Sequence, residues 1–302
     1  MIELDFALFN LKHEEKRGLM YRKYFLDRLA PFFFLPRVER LIELGELNFR
    51  GCQISLPLGP GNLNLIEPEL KQNIINQTAE LAKGYELSIV AVDRRLKQQL
   101  LELSIGFPAI FGDNFIKALT YALTLRALSR RDIRRIIIVG EIDGFPQFIG
   151  GMSTLGVPIS MQTINPGQYE IMNYHLLYES GYAISISALN PQSWDKKDLI
   201  FIFDPAQEGL AMVSPHSCCV CLTNNGCDLA PELENKLSKN GLVKSLYNLA
   251  PIMETCLLAE AGILSTNGEQ VGAEQPLDLD FFAIQQVGDN MGLWDLFLDK
   301  AI

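Results

Sequence analysis

The sequence predicts an α/β protein with a doubly wound parallel sheet in its second half and a smaller α/β domain before it. The chain has 302 residues, more than a single hydrophobic core usually holds, so two domains are expected. From Arg135 onward, short apolar runs without polar alternation indicate strands that are buried on both faces. Helical segments separate these runs, as in parallel sheets with helical crossovers.

The first third of the chain alternates between strand and helix signals. Proline is accepted in the first turn of a helix but interrupts one further along, so Pro68 fits a helix start whereas Pro31 and Pro36 break the pattern. Strands are predicted at residues 2–9, 53–57, 87–92 and 108–111, and helices at residues 19–30, 67–83 and 94–103.

A long helix over residues 113–128 follows, with Asp113 or Asn114 as its N-cap. The basic run from Arg126 to Arg135 is interpreted as a solvated linker into a new unit. We therefore place an N-terminal domain at residues 1–112, completed by residues 251–302. The connecting helix and the second domain occupy residues 113–250. A small-molecule ligand is expected in the cleft between the two domains.

The second half predicts a Rossmann-like sheet. Its strands are expected at residues 136–139, 157–164, 182–187, 199–204 and 218–222, and helices at residues 144–155, 168–180 and 251–264. Ligands of such sheets bind outside the carboxyl ends of the strands, where the strand order reverses. Those ends are Gly140 and residues 163–165, 188–190, 204–205 and 223–226. The acids Asp204 and Glu208 are interpreted as strand-end capping in solvent rather than as a cation site.

Charge and hydropathy exclude several partner classes. Residues 1–140 carry 20 Lys+Arg and 16 Asp+Glu, and residues 141–302 carry 6 and 20, so the net charges are +4 and −14. Nucleic-acid binding depends on Lys and Arg, so no nucleic acid is expected as a partner. No apolar run approaches the ~20 residues of a membrane-spanning helix, and no membrane is expected. The acidic N-terminus is unlike a secretory signal, which favours a cytoplasmic location.

Four of the six cysteines lie within residues 216–227. Zinc sites usually combine two separated pairs of ligands. Here Cys218, Cys219 and Cys221 lie on one predicted strand, so Cys218 points to the face opposite the other two. Cysteine is among the most buried residue types, so packed thiols are predicted. The three histidines are widely separated, and no metal is expected.

The last segment, residues 276–302, is acidic and amphipathic. Membrane-surface helices favour Lys and Arg, so its apolar side chains are expected to pack on the core or against a second copy of the chain. A homo-oligomer formed through this C-terminal tail is one predicted assembly.

Three segments resemble the two-domain family of shikimate dehydrogenase and, more closely, the aldehyde-forming fatty acyl carrier-protein reductases. Gly112-Asp113-Asn114 opens the long helix where these families have Gly-Asn-Thr or Gly-Asn-Ser. Ile136–Gly144 occupies the place of their dinucleotide-binding turn. Asn248–Leu258 resembles the C-terminal helix of the reductases, with Glu254 on their Ala-Glu pair. The resemblance implies NAD or NADP as the cofactor, if any. The cofactor-binding positions that it implies are Gly140, Glu141, Asp143, Gly144, Thr163 and Asn224.

The turn departs from the family pattern. Glycines in such a turn let the backbone approach the pyrophosphate at the start of a helix. Gly140 and Gly144 are kept, but Glu141 and Asp143 stand where phosphate would sit, and in a low dielectric they would repel it by several kcal/mol. The second strand ends at Thr163 without the acid that holds an NAD ribose. We therefore expect this loop to be filled by its own acids.

The catalytic positions of the relatives are also changed. The resemblance places the lysine of shikimate dehydrogenases at Gly59 and the cysteine nucleophile of the acyl reductases at Pro251, and neither residue can supply that chemistry. Cys256 is interpreted as a core thiol, and catalytic residues are unknown. The favoured function is a divergent relative of NAD(P)-dependent dehydrogenases and reductases with lost or altered dinucleotide binding. An active NAD(P)-linked oxidoreductase on a small or acyl substrate and a structural, protein-interaction role remain alternatives.

Overall fold

The computed structural model describes residues 4–11, 35–44, 49–58, 66–85, 87, 89–101, 108–210, 218–223, 229–239, 242, 245–261, 280–297 and 302. These residues fall into two compact units. The first contains those within Met1–Asp113, Lys236–Val243 and Tyr247–Asp278, and the second those within Asn114–Asn235, Lys244–Leu246 and Leu279–Ile302. The predicted domain boundaries stay a prediction, and the predicted helix at residues 19–30 lies outside the described residues.

The first unit contains a five-stranded sheet in the order β2-β3-β1-β4-β5. Its strands are β1 (Phe6–Leu11), β2 (Arg37–Leu44), β3 (Phe49–Leu56), β4 (Val90–Val92) and β5 (Ala109–Ile110). β1 lies parallel to β3 and β4, β4 lies parallel to β5, and β2 runs antiparallel to β3. No strand is predicted at β2, which directly follows Pro36. Proline is tolerated beside an edge strand because no neighbour needs its missing N–H there.

One face of this sheet packs on helix α1 (Pro68–Lys83), and α2 (Lys97–Leu101) follows β4. Alternate residues of β1 and β3 point toward α1, which explains why Phe9 and Ile54 share a core with Ile74 and Ile75. α1 begins with proline, has Glu69 in its first turn and ends at Lys83, as a helix dipole favours. The helix predicted over residues 67–83 is therefore confirmed.

The second unit contains a five-stranded parallel sheet in the order β10-β9-β6-β7-β8. Its strands are β6 (Arg135–Val139), β7 (Ile159–Gln162), β8 (Ser185–Ser187), β9 (Asp198–Ile202) and β10 (Cys218–Cys221). The remaining helices of the described chain belong to both units. They are α3 (Asp113–Arg130), α4 (Phe145–Ser153), α5 (Gly167–Ser180), α6 (Pro231–Lys239), α7 (Leu246–Glu260) and α8 (Phe281–Asn290). Counted within the unit, the strand order is 3-2-1-4-5, the doubly wound order of dinucleotide-binding sheets. The predicted fold class is confirmed.

The basic run after α3 is not simply a solvated linker. The Arg126 guanidinium donates to the carbonyls of Trp294 and Phe297 at 3.0 and 2.9 Å. Arg135 donates from Nε to Oδ1 of the buried Asp198 at 3.1 Å and from its terminal nitrogen to the carbonyl of Ser193 at 3.0 Å. The linker interpretation is therefore wrong at both ends of the run, because each of these arginines satisfies buried acceptors.

The cysteine-rich strand β10 agrees with the packing prediction. Cys218 is buried, whereas Cys219 and Cys221 pack against the apolar cluster around Ile200 and Trp194. Burial also raises the pKa of Cys52 to about 11 and that of Cys256 well above its usual value, so these two thiols stay protonated at neutral pH. Among the described residues, no group of three or more His, Cys, Asp or Glu side chains is placed to hold a metal ion.

The described part of the C-terminal tail packs within the second unit. The ring of Phe281 lies 5.6 Å from that of Phe148, and the ring of Trp294 lies 5.6 Å from that of Phe115. Gly288 lets Trp294 approach, because a Cβ there would come within 2.4 Å of the indole. An oligomer formed through this tail stays a prediction, although these apolar side chains already contact their own unit.

None of the helices in the described part of the chain is long and apolar enough to cross a bilayer. A cytoplasmic location stays a prediction.

Replacing Arg135 with leucine should lower the free energy of unfolding by about 3–5 kcal/mol, because it leaves the buried carboxylate of Asp198 without its charged partner. Arg134→Leu is the matched control, since Arg134 is exposed, and its effect should stay within about 0.5 kcal/mol. Urea unfolding followed by circular dichroism measures both. Equal effects of the two substitutions would contradict the structural role of the Arg135–Asp198 pair.

Candidate functional site

The order in which strands are added to the second sheet reverses between β6 and β9, although all of its strands are parallel. After β6 the chain adds β7 and β8 on one side, and then β9 and β10 on the other. At the carboxyl ends of β6 and β9 lies an open crevice of about 290 Å³, near the lower end of ordinary ligand pockets. Its lining residues are Gly140, Glu141, Thr163, Ile164, Leu189, Phe203, Asp204, Pro205 and Gln207. This is the position where doubly wound sheets bind their ligands.

Gly140 closes the gap between the two central strands. Its φ is 106°, a value that only glycine adopts at low energy. A Cβ on this residue would lie 2.8 Å from Cβ and 2.9 Å from the backbone nitrogen of Asp204. The glycine is therefore required by the packing of the chain on itself. Its presence alone does not indicate a bound phosphate.

In the turn after Gly140, the side chains that are buried differ from those expected. Glu141 and Asp143 are exposed, whereas the side chain of Ile142 is only 8% exposed. Counted from Gly140, the second and third glycines of a Gly-x-Gly-x-x-Gly pattern fall on Ile142 and Phe145. The prediction that acids fill this loop is wrong. Water screens the exposed carboxylates, and the buried side chain of the turn is the apolar Ile142.

Tyr169 of α5 packs against the same turn. It is 3% exposed, and its ring lies 5.0 Å from that of Phe145, the first residue of α4. Burial raises the pKa of its phenol, and the charges of Glu141 and Asp143 raise it further, while a hydrogen bond with the backbone of Ile142 acts in the opposite direction. The hydroxyl group is therefore neutral at physiological pH and held against the backbone of the turn.

A buried lysine lies on the other side of the turn. Lys117 of α3 is 9% exposed, and its Nζ would be 3.0 Å from a Cβ on Gly144. Gly144 is left-handed, with φ of 64°, and it is the N-cap of α4, where no side chain caps the helix. The start of a helix carries a partial positive charge, and the charge of Lys117 adds to it. Both charges attract the nearby acids Glu141 and Asp143.

The end of β7 is tied down by a buried amide. Gln162 accepts hydrogen bonds through Oε1 from the Trp194 indole at 2.9 Å and from the Asn190 backbone at 3.2 Å. The next residue, Thr163, is buried and its Oγ1 accepts from the Asn165 backbone at 3.3 Å. These bonds fix the wall of the crevice, and they place Thr163 at the end of β7, where NAD-binding sheets of this type carry an acid.

Asp204 and Glu208 behave as capping acids. Asp204 Oδ1 accepts from the Ala206 backbone at 2.9 Å and so caps the short 3₁₀ helix Pro205–Gln207. Glu208 accepts from the hydroxyl of the buried Thr223. The interpretation of these acids as strand-end caps is supported by both contacts.

The structure brings some of the predicted cofactor-binding positions together. Gly140, Glu141 and Thr163 line the crevice, Asp143 and Gly144 belong to the turn but not to the lining, and Asn224 lies outside the described residues. The sequence analysis missed Lys117 and Tyr169. Nothing in the sequence places these two side chains on the turn, because both arrive from helices distant in the chain.

A cluster of polar side chains, which the sequence analysis also missed, lies in the sheet of the first unit. Asn10 and Ser55 are register partners on β1 and β3, and Gln53 lies two residues before Ser55, so the three side chains share one face. In the part of the chain that the structure describes, no hydrogen-bond partner reaches Asn10 Oδ1, Gln53 Oε1, Ser55 Oγ or Asn248 Oδ1, all of them buried. Buried polar atoms normally have partners, so these four atoms are exceptions among the described residues.

No protein-family model matches the sequence. No curated protein matches it either. Among solved structures, the chain is similar to L-tryptophan dehydrogenase from Nostoc punctiforme, with 9% sequence identity, coverage of 96% of this chain and 81% of that chain, and a TM-score of 0.44. A similarity at this level assigns no activity, and the resemblance to shikimate dehydrogenases and acyl carrier-protein reductases stays a prediction.

Gly140→Ala should lower the free energy of unfolding by about 3 kcal/mol or more, since it combines a strained φ with a clash against Asp204. Gly156→Ala is the matched control: its φ of 69° is also positive, but no atom lies within 4 Å of the added Cβ. The control should therefore show only the strain of about 1 kcal/mol. Thermal unfolding of both variants measures the difference, and equal losses would contradict the close approach at the strand ends.

Ser55→Ala should raise the free energy of unfolding by about 1 kcal/mol in the ligand-free protein, because it removes a buried hydroxyl that has no partner. Thr223→Val deletes a buried hydroxyl that is bound to Glu208, and it should be destabilising by about 1.5–3 kcal/mol. Denaturant unfolding of the two variants should thus give opposite signs. A destabilising effect of Ser55→Ala would mean that a bound molecule, such as an ordered water, already forms a hydrogen bond with the Ser55 hydroxyl.

Proposed function

We propose that the chain is a divergent relative of NAD(P)-dependent dehydrogenases and reductases that has lost ordinary dinucleotide binding and holds a small ligand in the crevice beside Gly140. The observation that carries this proposal is the buried side chain of Ile142 at the second glycine position of the turn. That glycine normally lets the backbone touch the pyrophosphate.

The relation to dehydrogenases is supported by topology. The parallel order of the second sheet and the crevice between β6 and β9 are the features that dinucleotide-binding domains share. A shared fold does not fix chemistry, so the ligand is argued from the lining residues.

Loss of the dinucleotide is supported by three local features. Ile142 and Phe145 replace glycines, Thr163 replaces the ribose-binding acid, and no Lys or Arg occurs between Ile136 and Asp195 to pair with a 2′-phosphate. Each of these contacts contributes to binding of the cofactor in relatives, and none is supplied by the turn itself.

The class of ligand follows from the charge of the crevice. Glu141 and Asp204 line it, and none of its described lining residues is Lys or Arg. Water screens the exposed Glu141, but Asp204 is half-buried, so an anionic ligand would meet a less screened carboxylate that does not repel a neutral or cationic molecule. At about 290 Å³, the crevice suits a small metabolite better than a whole dinucleotide.

An active NAD(P)-linked oxidoreductase is the second candidate, and one observation favours it. Lys117 places a buried amine beside Gly144, at the uncapped start of α4. A helix N-terminus with an added cation is a suitable environment for a phosphate. In that case the pyrophosphate would bind at the outer side of the turn, away from Ile142, and the sequence assigns no catalytic residue to the reaction.

Titration with NAD⁺, NADH, NADP⁺ and NADPH separates the two candidates. We expect no heat of binding and no change of melting temperature at millimolar concentration of any of the four. A saturating ligand at 100 times its dissociation constant would stabilise the fold by about 2.7 kcal/mol, which such measurements resolve easily. Saturable binding of one dinucleotide would contradict the main proposal and support the oxidoreductase.

Ile142→Gly tests the steric argument directly. Removing the side chain should give measurable, weak dinucleotide binding, provided that circular dichroism shows the variant to be folded. Ile164→Gly is the matched control, because Ile164 lines the crevice but is exposed and lies outside the turn. If neither folded variant binds a dinucleotide, Ile142 is not the barrier.

A further inference from the structure

Helix α7 has a weak point near its start. Asn248 Oδ1 is buried, and no hydrogen-bond partner for it occurs in the described part of the chain. Pro251 lies inside the helix, where its missing N–H removes the hydrogen bond to the carbonyl four residues earlier. The hydroxyl of Thr255 donates to the Pro251 carbonyl at 2.8 Å, and a bond of this kind also bends helices. The residues before Pro251 are therefore held less firmly by the helix than those after it.

The part of α7 that follows Pro251 is fixed by packing. Each side chain of residues 252–258 is at most 3% exposed. Separating apolar side chains from such a buried environment exposes them to water and is unfavourable. We use "anchor" for residues 252–258 and "strap" for residues 247–250. The apolar members of the anchor are Ile252, Met253, Cys256, Leu257 and Leu258.

The last residue of the strap lies at the carboxyl end of the first sheet. Gly112 follows β5 by two residues, and a Cβ on it would come within 2.5 Å of the carbonyl carbon of Ala250. Both residues belong to the first unit. The strap therefore contacts the chain where it leaves the sheet.

The first residue of the strap lies near the end of β1. Burial lowers the pKa of the Arg95 guanidinium, but the hydrogen bond with Asp93 and the charges of Asp93 and Tyr247 raise that pKa overall. Tyr247 is therefore close to the ion pair of Arg95 and Asp93. The backbone N–H of Asp93 donates to the carbonyl of Phe9 at 2.9 Å, one residue before Asn10. The strap and the polar side chains of β1 and β3 thus occupy the same end of the sheet.

We infer that the strap opens about Pro251 while the anchor stays packed, and that this opening admits water and small polar molecules to the side chains of Asn10, Gln53 and Ser55. We use "polar cluster" for these three side chains. The opening is independent of the ligand proposed for the crevice, since the crevice lies in the second unit.

Unpaired polar atoms favour the open state. Asn248 Oδ1 and one oxygen of each member of the polar cluster are buried without a hydrogen-bond partner among the described residues, and water bonds to them once the strap moves away. One buried acceptor without a partner shifts such an equilibrium by about 5- to 150-fold toward the open state. The burial of Leu249 and Ala250 opposes the opening. The open state is therefore a minor state, and it is reached without unfolding of the anchor.

Thiol labelling of Ser55→Cys tests access to the polar cluster. Cys52 is the natural matched control, because it lies on the same strand but packs in the core on the α1 side. Relative to the same thiols in the urea-unfolded chain, iodoacetamide should label the introduced thiol at least tenfold faster than Cys52, as read by tandem mass spectrometry. Labelling of the introduced thiol should not accelerate in low urea. Labelling of Cys52 should, because that thiol is exposed only when the unit unfolds.

Two substitutions in α7 connect the labelling with the strap. In the Ser55→Cys background, Asn248→Leu should slow labelling on the order of tenfold, since it removes one acceptor that opening hydrates. Pro251→Ala should slow labelling by at least as much, because it restores a helical hydrogen bond. Glu260→Ala, at the exposed last residue of α7, is the matched control and should leave the rate unchanged.

Hydrogen exchange of the unmodified protein tests the strap without any substitution. The amides of Ile252, Met253 and Glu254 have their helical acceptors in the strap, so their exchange should not depend on low urea. Exchange at Leu257 and Leu258 should follow global unfolding. Equal urea dependence of the two groups, labelling of Ser55→Cys no faster than that of Cys52, or an unchanged labelling rate in folded Asn248→Leu would each overturn the inference.

Discussion

The two central strands of the second sheet are fixed to each other at both ends. At the amino end, Arg135 of β6 holds the buried carboxylate of Asp198 on β9. At the carboxyl end, the backbone of Gly140 lies so close to Asp204 that no residue with a Cβ would fit at this position. Between these points β6 is buried throughout except at its first residue. The crevice, the turn and the start of α4 all follow from this pair, because each begins where β6 or β9 ends.

In the turn after Gly140, the charged side chains are exposed and the apolar side chains are buried. The carboxylates of Glu141 and Asp143 face water, where two unit charges at 4 Å interact by only about 1 kcal/mol. Ile142 and the ring of Tyr169 are desolvated, and moving them aside would expose apolar surface at about 25 cal/mol per Å². Apolar packing of this kind does not weaken with salt, in contrast to an interaction between exposed charges.

The sequence predicts those elements whose formation depends on residues close together in the chain. Runs such as Ile136–Val139 predicted the buried strands, and Pro68 and Lys83 predicted the ends of α1. It was less informative where distant segments meet. β2 was missed because Arg37–Leu44 is rich in charge and lies at an edge, and α7 begins at Leu246 although Pro251 was taken as its start. The acids of the turn could be seen in the sequence, but their exposure could not, because Tyr169 and Lys117 reach the turn only in the folded chain.

Helices α7 and α8 carry a consequence for synthesis of the chain on the ribosome. Residues of α7 belong to the first compact unit and α8 belongs to the second, and α7 buries most of its side chains. The β-strands of the first unit therefore emerge long before α7 of the same unit, with residues 111–245 translated in between. At 5–20 residues per second this interval lasts roughly 7–27 s. Loss of the final sixty or so residues would remove α7 from the first unit and α8 from the second.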